Sequence, residues 1–310
     1  MVDKIIQFLK KFKIEFCENF DISALSSIKI GGRVRLVVFP KNTAELESVV
    51  KFFWSLKIDY KVIGNASNLL FVEDINFPIV ATSKMEEEIQ NKNGMVSVSA
   101  GVMLSKLCEY LKRNQLSGIE ALVGIPATVG GAIMSNAGAF GQNISDHLIS
   151  IKVMKDGKVF ELFKNEIKFG YHFSNLNGFI VLSALFLFEN RNEYDIISLC
   201  NEYAYLRNKS QPNGFSLGSV YRRVNGRSAG FYIERAGLKG MRVGGVVVSN
   251  KHANFFINDK VSTAADFLRL SAMVESSVEK QFGVSLIPEI EKVGNKNEIV
   301  GRLSCSFKKL

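Results

Sequence analysis

The sequence predicts an α+β protein built as three successive blocks, residues 1–80, 81–205 and 206–310, with the last residues free to return to the first block. Three observations carry this. Strand-like and helix-like apolar patterns alternate from the start of the chain. Polar or Gly-rich stretches interrupt that alternation near residues 80 and 205. The length of 310 residues exceeds what one ordinary core holds.

In the first block, Ile5, Ile6, Leu9 and Phe12 recur at helical spacing and predict an amphipathic N-terminal helix. Arg33 to Phe39 has strand character. Asn42 and Thr43 cap a helix whose Leu46, Val49, Phe53 and Leu56 fall on one face. Tyr60 to Ile63 is a short strand that runs directly into Gly64, Asn65, Ala66, Ser67 and Asn68. The second block begins near Thr82. It contains a strand (Met95 to Ala100), a helix with Leu104, Leu107, Cys108 and Leu111 inward, and a Gly-rich stretch from Gly124 to Gly141. A hairpin of Ile149 to Met154 and Lys158 to Leu162 follows, turned by Asp156 and Gly157. Phe179 to Phe188 is an apolar run too short for a bilayer, which takes about 20 residues, and reads as a strand buried on both faces. The third block follows the polar stretch Arg207 to Gly214. It has strands at Gly244 to Ser249 and Asn254 to Ile257, then a capped helix from Thr263 to Phe282 with Asp266 in its first turn.

Composition narrows the function. At 47% hydrophobic and 22% charged residues the chain is that of a folded globular protein. The N-terminus lacks an apolar region followed by a small-residue cleavage site, so a cytoplasmic protein is expected. Cys17, Cys108, Cys200 and Cys305 are widely spaced and form no C-x-x-C pair, so neither a disulfide scaffold nor a metal site is expected. The net charge of +9 comes from dispersed residues whose longest clusters are pairs such as Lys10–Lys11, Arg222–Arg223 and Lys308–Lys309. That suits phosphorylated small molecules better than nucleic acid, and no nucleic-acid, membrane or protein partner is expected; the chain is read as a monomer.

Two segments carry chemistry. Gly64-Asn65-Ala66-Ser67-Asn68-Leu69-Leu70, at a strand end, lets main-chain N–H groups approach a pyrophosphate, although an ordinary Asn/Ser/Gly turn has the same composition. Gly124-Ile125-Pro126-Ala127-Thr128-Val129-Gly130-Gly131-Ala132, followed by Asn136-Ala137-Gly138-Ala139-Phe140-Gly141, is too costly in chain entropy to be plain packing over such a length. It suits a backbone against which a large flat ligand lies. It has neither the Lys-Ser/Thr pair of a P-loop nor the G-x-G-x-x-G spacing of a Rossmann turn.

These segments, with Gly218-Ser219-Val220-Tyr221, Ala236-Gly237-Leu238-Lys239-Gly240, Ser249 to Phe255, Pro288-Glu289-Ile290 and Gly294, run in the order and spacing of one family. From about Ser27 to Gly294 the chain resembles UDP-N-acetylmuramate dehydrogenase, also called UDP-N-acetylenolpyruvoylglucosamine reductase, in its shorter type. The resemblance implies a two-part FAD-binding domain of the vanillyl-alcohol-oxidase (PCMH) type, made of the first two blocks, and a C-terminal α/β substrate domain. It implies FAD as cofactor and NADPH as reductant. The expected reaction reduces the enolpyruvyl ether of a UDP-sugar to UDP-N-acetylmuramate for peptidoglycan.

Residue by residue, the resemblance places FAD on Gly64, Asn65, Ala66, Ser67, Asn68 and Leu69, and on Gly124, Ile125, Pro126, Thr128, Gly130, Gly131, Ala132, Asn136 and Gly138. Hydride addition to the enol ether builds negative charge at the α-carbon, which needs stabilisation and then a proton. Ser219 matches the family's proton-donating serine and Glu289 its catalytic glutamate. The third position departs: the family reads Tyr-Arg-x-Ser where this chain has Tyr171-His172-Phe173-Ser174. His172, in a protonated or hydrogen-bonding form, is expected to take the arginine's place, with activity falling as pH rises past about 6.5. Arg207, Lys209, Gln211 and Arg223 are expected to meet the substrate diphosphate.

The sequence also admits rival readings. Gly214-Phe215-Ser216-Leu217-Gly218 fits the G-x-S-x-G elbow of α/β-hydrolases, with Glu234 and His252 after it, but such an elbow must join a strand to a helix. A different FAD oxidoreductase on the same scaffold and a non-enzymatic anion-binding protein are the remaining two.

Overall fold

The computed structural model describes residues 2–86 and 88–295; Cys305, Lys308, Lys309 and the return of the last residues to the first block lie outside them. Helix α1 (Val2–Lys11) buries Ile5 and Leu9 and leaves Phe12 half exposed. A four-stranded sheet follows in the order Glu15–Asp21, Arg33–Phe39, Ile79–Ala81, Lys61–Ile63. Helix α2 (Thr43–Ser55) starts where the Asn42 side chain accepts from the Glu45 N–H, and buries Leu46, Val49 and Phe53. Leu56 lies past its last turn and is exposed, because the inward stripe ends with the helix.

The second sheet has five antiparallel strands in the order Lys158–Phe163, Leu148–Lys155, Ile180–Leu187, Met95–Ser99, Ile89–Lys92. Helices α3 (Leu104–Arg113) and α4 (Val129–Ser135) belong to the same core. Its central strand, Ile180–Leu187, is buried on both faces. Ala184 and Phe186 join the core beneath α3 and α4, whereas Ile180 and Leu182 join the core shared with α1 and α2. One apolar run thus glues the first two sheets together, which is why it cannot alternate with polar residues.

Helix α5 (Glu193–Ser210) leads to the last part of the chain. There α6 (Ala229–Arg235) and α7 (Ala264–Phe282) pack with the strands Arg242–Val243, Val246–Val248 and Phe256–Asn258. A capping box between Thr263 and Asp266 opens α7, and Gly283 closes it at φ +64°. This third core also takes in Ile28, Ile30 and Leu70 from the N-terminal part of the chain. The strand Glu291–Val293 pairs in parallel with Leu69–Phe71. Next to this pairing the ammonium of Lys61, with 5% of its side chain exposed, is held by Glu291, whose side chain is 38% exposed. The asymmetry predicts an asymmetric response. Glu291→Ala strands a buried cation and is expected to cost about 3 kcal/mol of stability. Lys61→Met leaves a carboxylate that water can reach and is expected to cost under about 1 kcal/mol. Chemical denaturation of the two variants measures the difference, and equal losses would show that Lys61 is hydrated.

Candidate functional site

The turn that leaves the strand Lys61–Ile63 fits against the Gly-rich segment so closely that its composition follows from the contact. A Cβ on Gly64 would fall inside the van der Waals envelope of Thr128 Oγ1. Asn65 donates its side-chain N–H to the Pro126 carbonyl at 2.8 Å. Ala66 takes the left-handed conformation at φ +45°. The main-chain N–H groups of Asn65, Ala66, Ser67 and Asn68 donate to no other described residue. Four consecutive N–H groups at a strand end are thus left without a partner among the described residues, which is what an anion cradle requires.

Across from this turn, Thr128 caps α4 by accepting from the Gly131 N–H at 3.2 Å, and Gly130 lets the helix approach Ala100. Ala132 is fully buried in the second core, with Ile125 packed against it, so these two shape the surface from behind. Gly124, Pro126 and Gly131 are exposed and present main chain. Gly138 sits in a small hairpin with Asn143, and Asn136 at φ +47° ends α4. The Asn136 side chain donates to Gly170 O at 2.9 Å while its buried Oδ1 has no donor among the described residues.

The side chains expected to handle protons come from two places. Ser219 to Tyr221 runs between Asn254–Phe255 on one side and Pro288–Glu289 on the other. The Val220 N–H donates to Asn254 O, and the Glu289 N–H donates to Val220 O, both at 2.8 Å. The Asn254 side chain clamps the main chain of Tyr221 by accepting at 3.0 Å and donating at 2.8 Å. Asn68 then links the two halves of the site: it donates from its side chain to Glu289 O at 3.2 Å, and its carbonyl accepts from the Glu291 N–H at 2.9 Å. The Gly64–Asn68 turn and the segment that carries Glu289 are therefore tied together through one residue.

His172 arrives from the second block at the tip of a hairpin of Phe169–Gly170 and Phe173–Ser174. Asn136 and the Ser174 hydroxyl, which donates to Met134 O at 2.6 Å, fasten that hairpin to α4. At φ +45°, His172 turns Nδ1 to within 3.4 Å of Glu289 Oε1. Burial pushes the Glu289 carboxyl up to about 7, opposed by the nearby Arg222 cation. Burial, reinforced by Arg222, pulls the His172 imidazole below its ordinary value. Of the two forms expected for His172, protonated or hydrogen-bonding, the direction of this shift favours the second. The group that titrates near neutrality is Glu289. The fixed charge beside Glu289 belongs to Arg222, to which the motif reading gives no role in the site. The pairing of Tyr221 with Pro288 is the signal that finds it, since alternation puts Arg222 on the face that carries Glu289.

The residues expected at the diphosphate are dispersed in role. Arg207 donates to the carbonyls of Val123 at 2.9 Å and Ala121 at 3.1 Å and to Gln211 Oε1 at 3.2 Å. Arg207 and Gln211 thus brace the start of the Gly-rich segment. Lys209 is exposed near the Tyr205 ring, and Arg223 is exposed close enough to Tyr171 to act on its ionisation. The hydrolase elbow is absent: Gly214–Gly218 joins no strand to a helix, Ser216 O is held by the Ser27 hydroxyl at 2.6 Å, and Glu234 pairs with Lys239.

A family profile described as UDP-N-acetylenolpyruvoylglucosamine reductase, C-terminal domain, matches residues 211–293, and an FAD binding domain profile matches residues 34–162. The UDP-N-acetylenolpyruvoylglucosamine reductase of Caldicellulosiruptor saccharolyticus is 38% identical over 294 residues, covering 92% of this chain and 94% of that protein. The protein of the same name from Thermotoga sp. is 35% identical, covering 94% and 97%. The crystal structure of the UDP-N-acetylenolpyruvylglucosamine reductase from Thermus caldophilus superposes with a TM-score of 0.77 at 31% identity, covering 90% of this chain and 98% of that one. The α+β class, with an FAD-binding part and a C-terminal part of this type, is the one predicted from the sequence.

Proposed function

The chain belongs to the UDP-N-acetylenolpyruvoylglucosamine reductase family and is an FAD-type oxidoreductase, and from that premise we propose that it reduces UDP-N-acetylenolpyruvoylglucosamine to UDP-N-acetylmuramate in the cytosol with NADPH as reductant. The observation that carries this reading is the junction of the Gly64–Asn68 cradle, the Gly-rich segment and the Ser219–Tyr221/Pro288–Glu289 pair, with His172 and Glu289 3.4 Å apart at its edge.

The residues fit FAD. The free N–H groups of Asn65 to Asn68 suit its diphosphate, and the exposed main chain at Gly124 and Gly131 suits its rings. When bound, FAD supplies the hydride that the protein's own side chains cannot. The protein's task is then the anion left on the substrate. Glu289, protonated in part at neutral pH, donates a hydrogen bond to that charge, and neutral His172 holds the carboxyl in orientation. Ser219, half-buried and with its hydroxyl unengaged by any described residue, delivers the proton to the α-carbon. Lys209 and Arg223 receive the diphosphate.

The test is anaerobic: the purified flavoprotein is bleached with NADPH and then offered the enolpyruvyl substrate. Recovery of the oxidised spectrum with formation of UDP-N-acetylmuramate is expected, and reoxidation by oxygen alone would reject the substrate. Gly64→Ala is expected to force Thr128 aside, to cost about 1–3 kcal/mol of stability, and to yield protein with less bound flavin. An alanine variant as stable and as fully loaded as the parent would show that the cradle does not depend on this close approach.

A further inference from the structure

We propose that Arg222 couples the arrival of the substrate's carboxylate to the loading of a proton on Glu289. The inference rests on the functional reading above. Tyr221 pairs with Pro288, which sets Val220 opposite Glu289 and Arg222 opposite Ile287. Arg222 and Glu289, which flank that bridge diagonally, lie on one face, and diagonal neighbours on such a pair lie within about 8 Å. The Arg222 N–H donates to Ile287 O at 2.9 Å, so the register is pinned at this residue. Arg222 has no carboxylate partner among the described residues, unlike Arg242, which is committed to Asp259. It is an exposed, unspent cation beside a buried carboxyl.

The ionisable and charged groups facing Glu289 are Tyr171 and His172 from the second-block hairpin and Arg222 from its own neighbouring segment, while Arg223 lies near Tyr171. Burial favours the acid form of Glu289, and Arg222 is the group that opposes it. An anionic substrate that pairs with Arg222 cancels that opposition. Glu289 then takes up a proton from solvent, and the partly exposed imidazole of His172, already in contact with it, lies on the outer side of the pair. The acid is thus more fully protonated when the substrate is seated than when the site is empty.

Two measurements decide this. In the ligand-free protein, carboxyl 13C NMR of labelled glutamate follows Glu289. In Arg222→Gln its midpoint is expected to rise by about one pH unit, and Arg222→Lys is expected to restore most of the parent value. An unchanged midpoint in Arg222→Gln overturns the proposal. In the second, calorimetry of UDP-N-acetylmuramate binding at pH 8, in buffers of different ionisation enthalpy, is expected to show proton uptake by the parent and its loss in Arg222→Gln. Binding without uptake overturns the coupling while leaving the proposed function standing. Absence of binding rejects the substrate and the coupling with it, and the NMR midpoints still report separately whether Arg222 acts on Glu289.

Discussion

Ser219→Ala is expected to lower the rate of substrate reduction by about 10²–10⁴-fold, the range of a positioned proton donor, while reduction of the flavin by NADPH stays at the parent rate. The split follows from where Ser219 sits. Its main chain is part of the Ser219–Tyr221 segment that bridges Phe255 on one side and neighbours Glu289 on the other, and those contacts do not use the hydroxyl. Alanine therefore leaves the fold and the flavin cradle, which is built from Gly64–Asn68 and the Gly-rich segment, as they are. Ser219→Cys, which keeps a weak acid at the same place, is expected to recover part of the loss. Stopped-flow measurement of the two half-reactions separates the cases. If Ser219→Ala slows both equally, the residue acts on binding or folding, and the proton must come from Glu289 or a water.

How much of this is legible in the sequence depends on the range over which each feature is encoded. The helices Thr43–Ser55 and Ala264–Phe282 carry local caps and a strong inward stripe, and both stand where Asn42, Thr263 and the apolar spacing put them. The strand Ile180–Leu187 is readable because burial on two sides leaves an unbroken apolar run. By contrast, α5 has only Ile196 fully buried among its eighteen residues, so it shows no periodicity and its end reads as a polar connection. Strands of three residues, such as Leu69–Phe71 and Glu291–Val293, are too short for alternation to register. The site is legible only as motifs. Nothing local says that Asn68 holds Glu289 across 221 positions, that Arg207 turns inward onto Val123 and Ala121, or that burial leaves His172 neutral. Those are products of packing, as is the place of Arg222 beside Glu289, because motif spacing carries no information on cross-strand register.

Glu289→Gln is expected to reduce turnover by about 10²–10³-fold, as loss of a charge-stabilising, proton-bearing group does, and to make the protein more resistant to alkaline conditions. The sign follows from the direction of the shift. In the folded chain the carboxyl is held up at about 7, against an ordinary value of 4.5, because it is buried. The folded state therefore binds this proton more tightly than the unfolded chain does. The stabilisation that results is fully present below pH 4.5, declines as pH rises from there to about 7, and is gone above it, where folding must bury a carboxylate. The span corresponds to about 3 kcal/mol at most. His172 works the other way, since its lowered value makes a contribution that is present above about 6.5 and lost on acidification. Because His172 contacts Glu289, a double-mutant cycle with His172→Gln separates the glutamate's part. Denaturant titrations at pH 5 and pH 8 are expected to show the variant gaining on the parent by a large part of that span. Parallel stability curves would mean that Glu289 titrates like a solvated carboxyl. It would then be fully ionised at neutral pH, with no proton to offer the anion that hydride addition leaves behind.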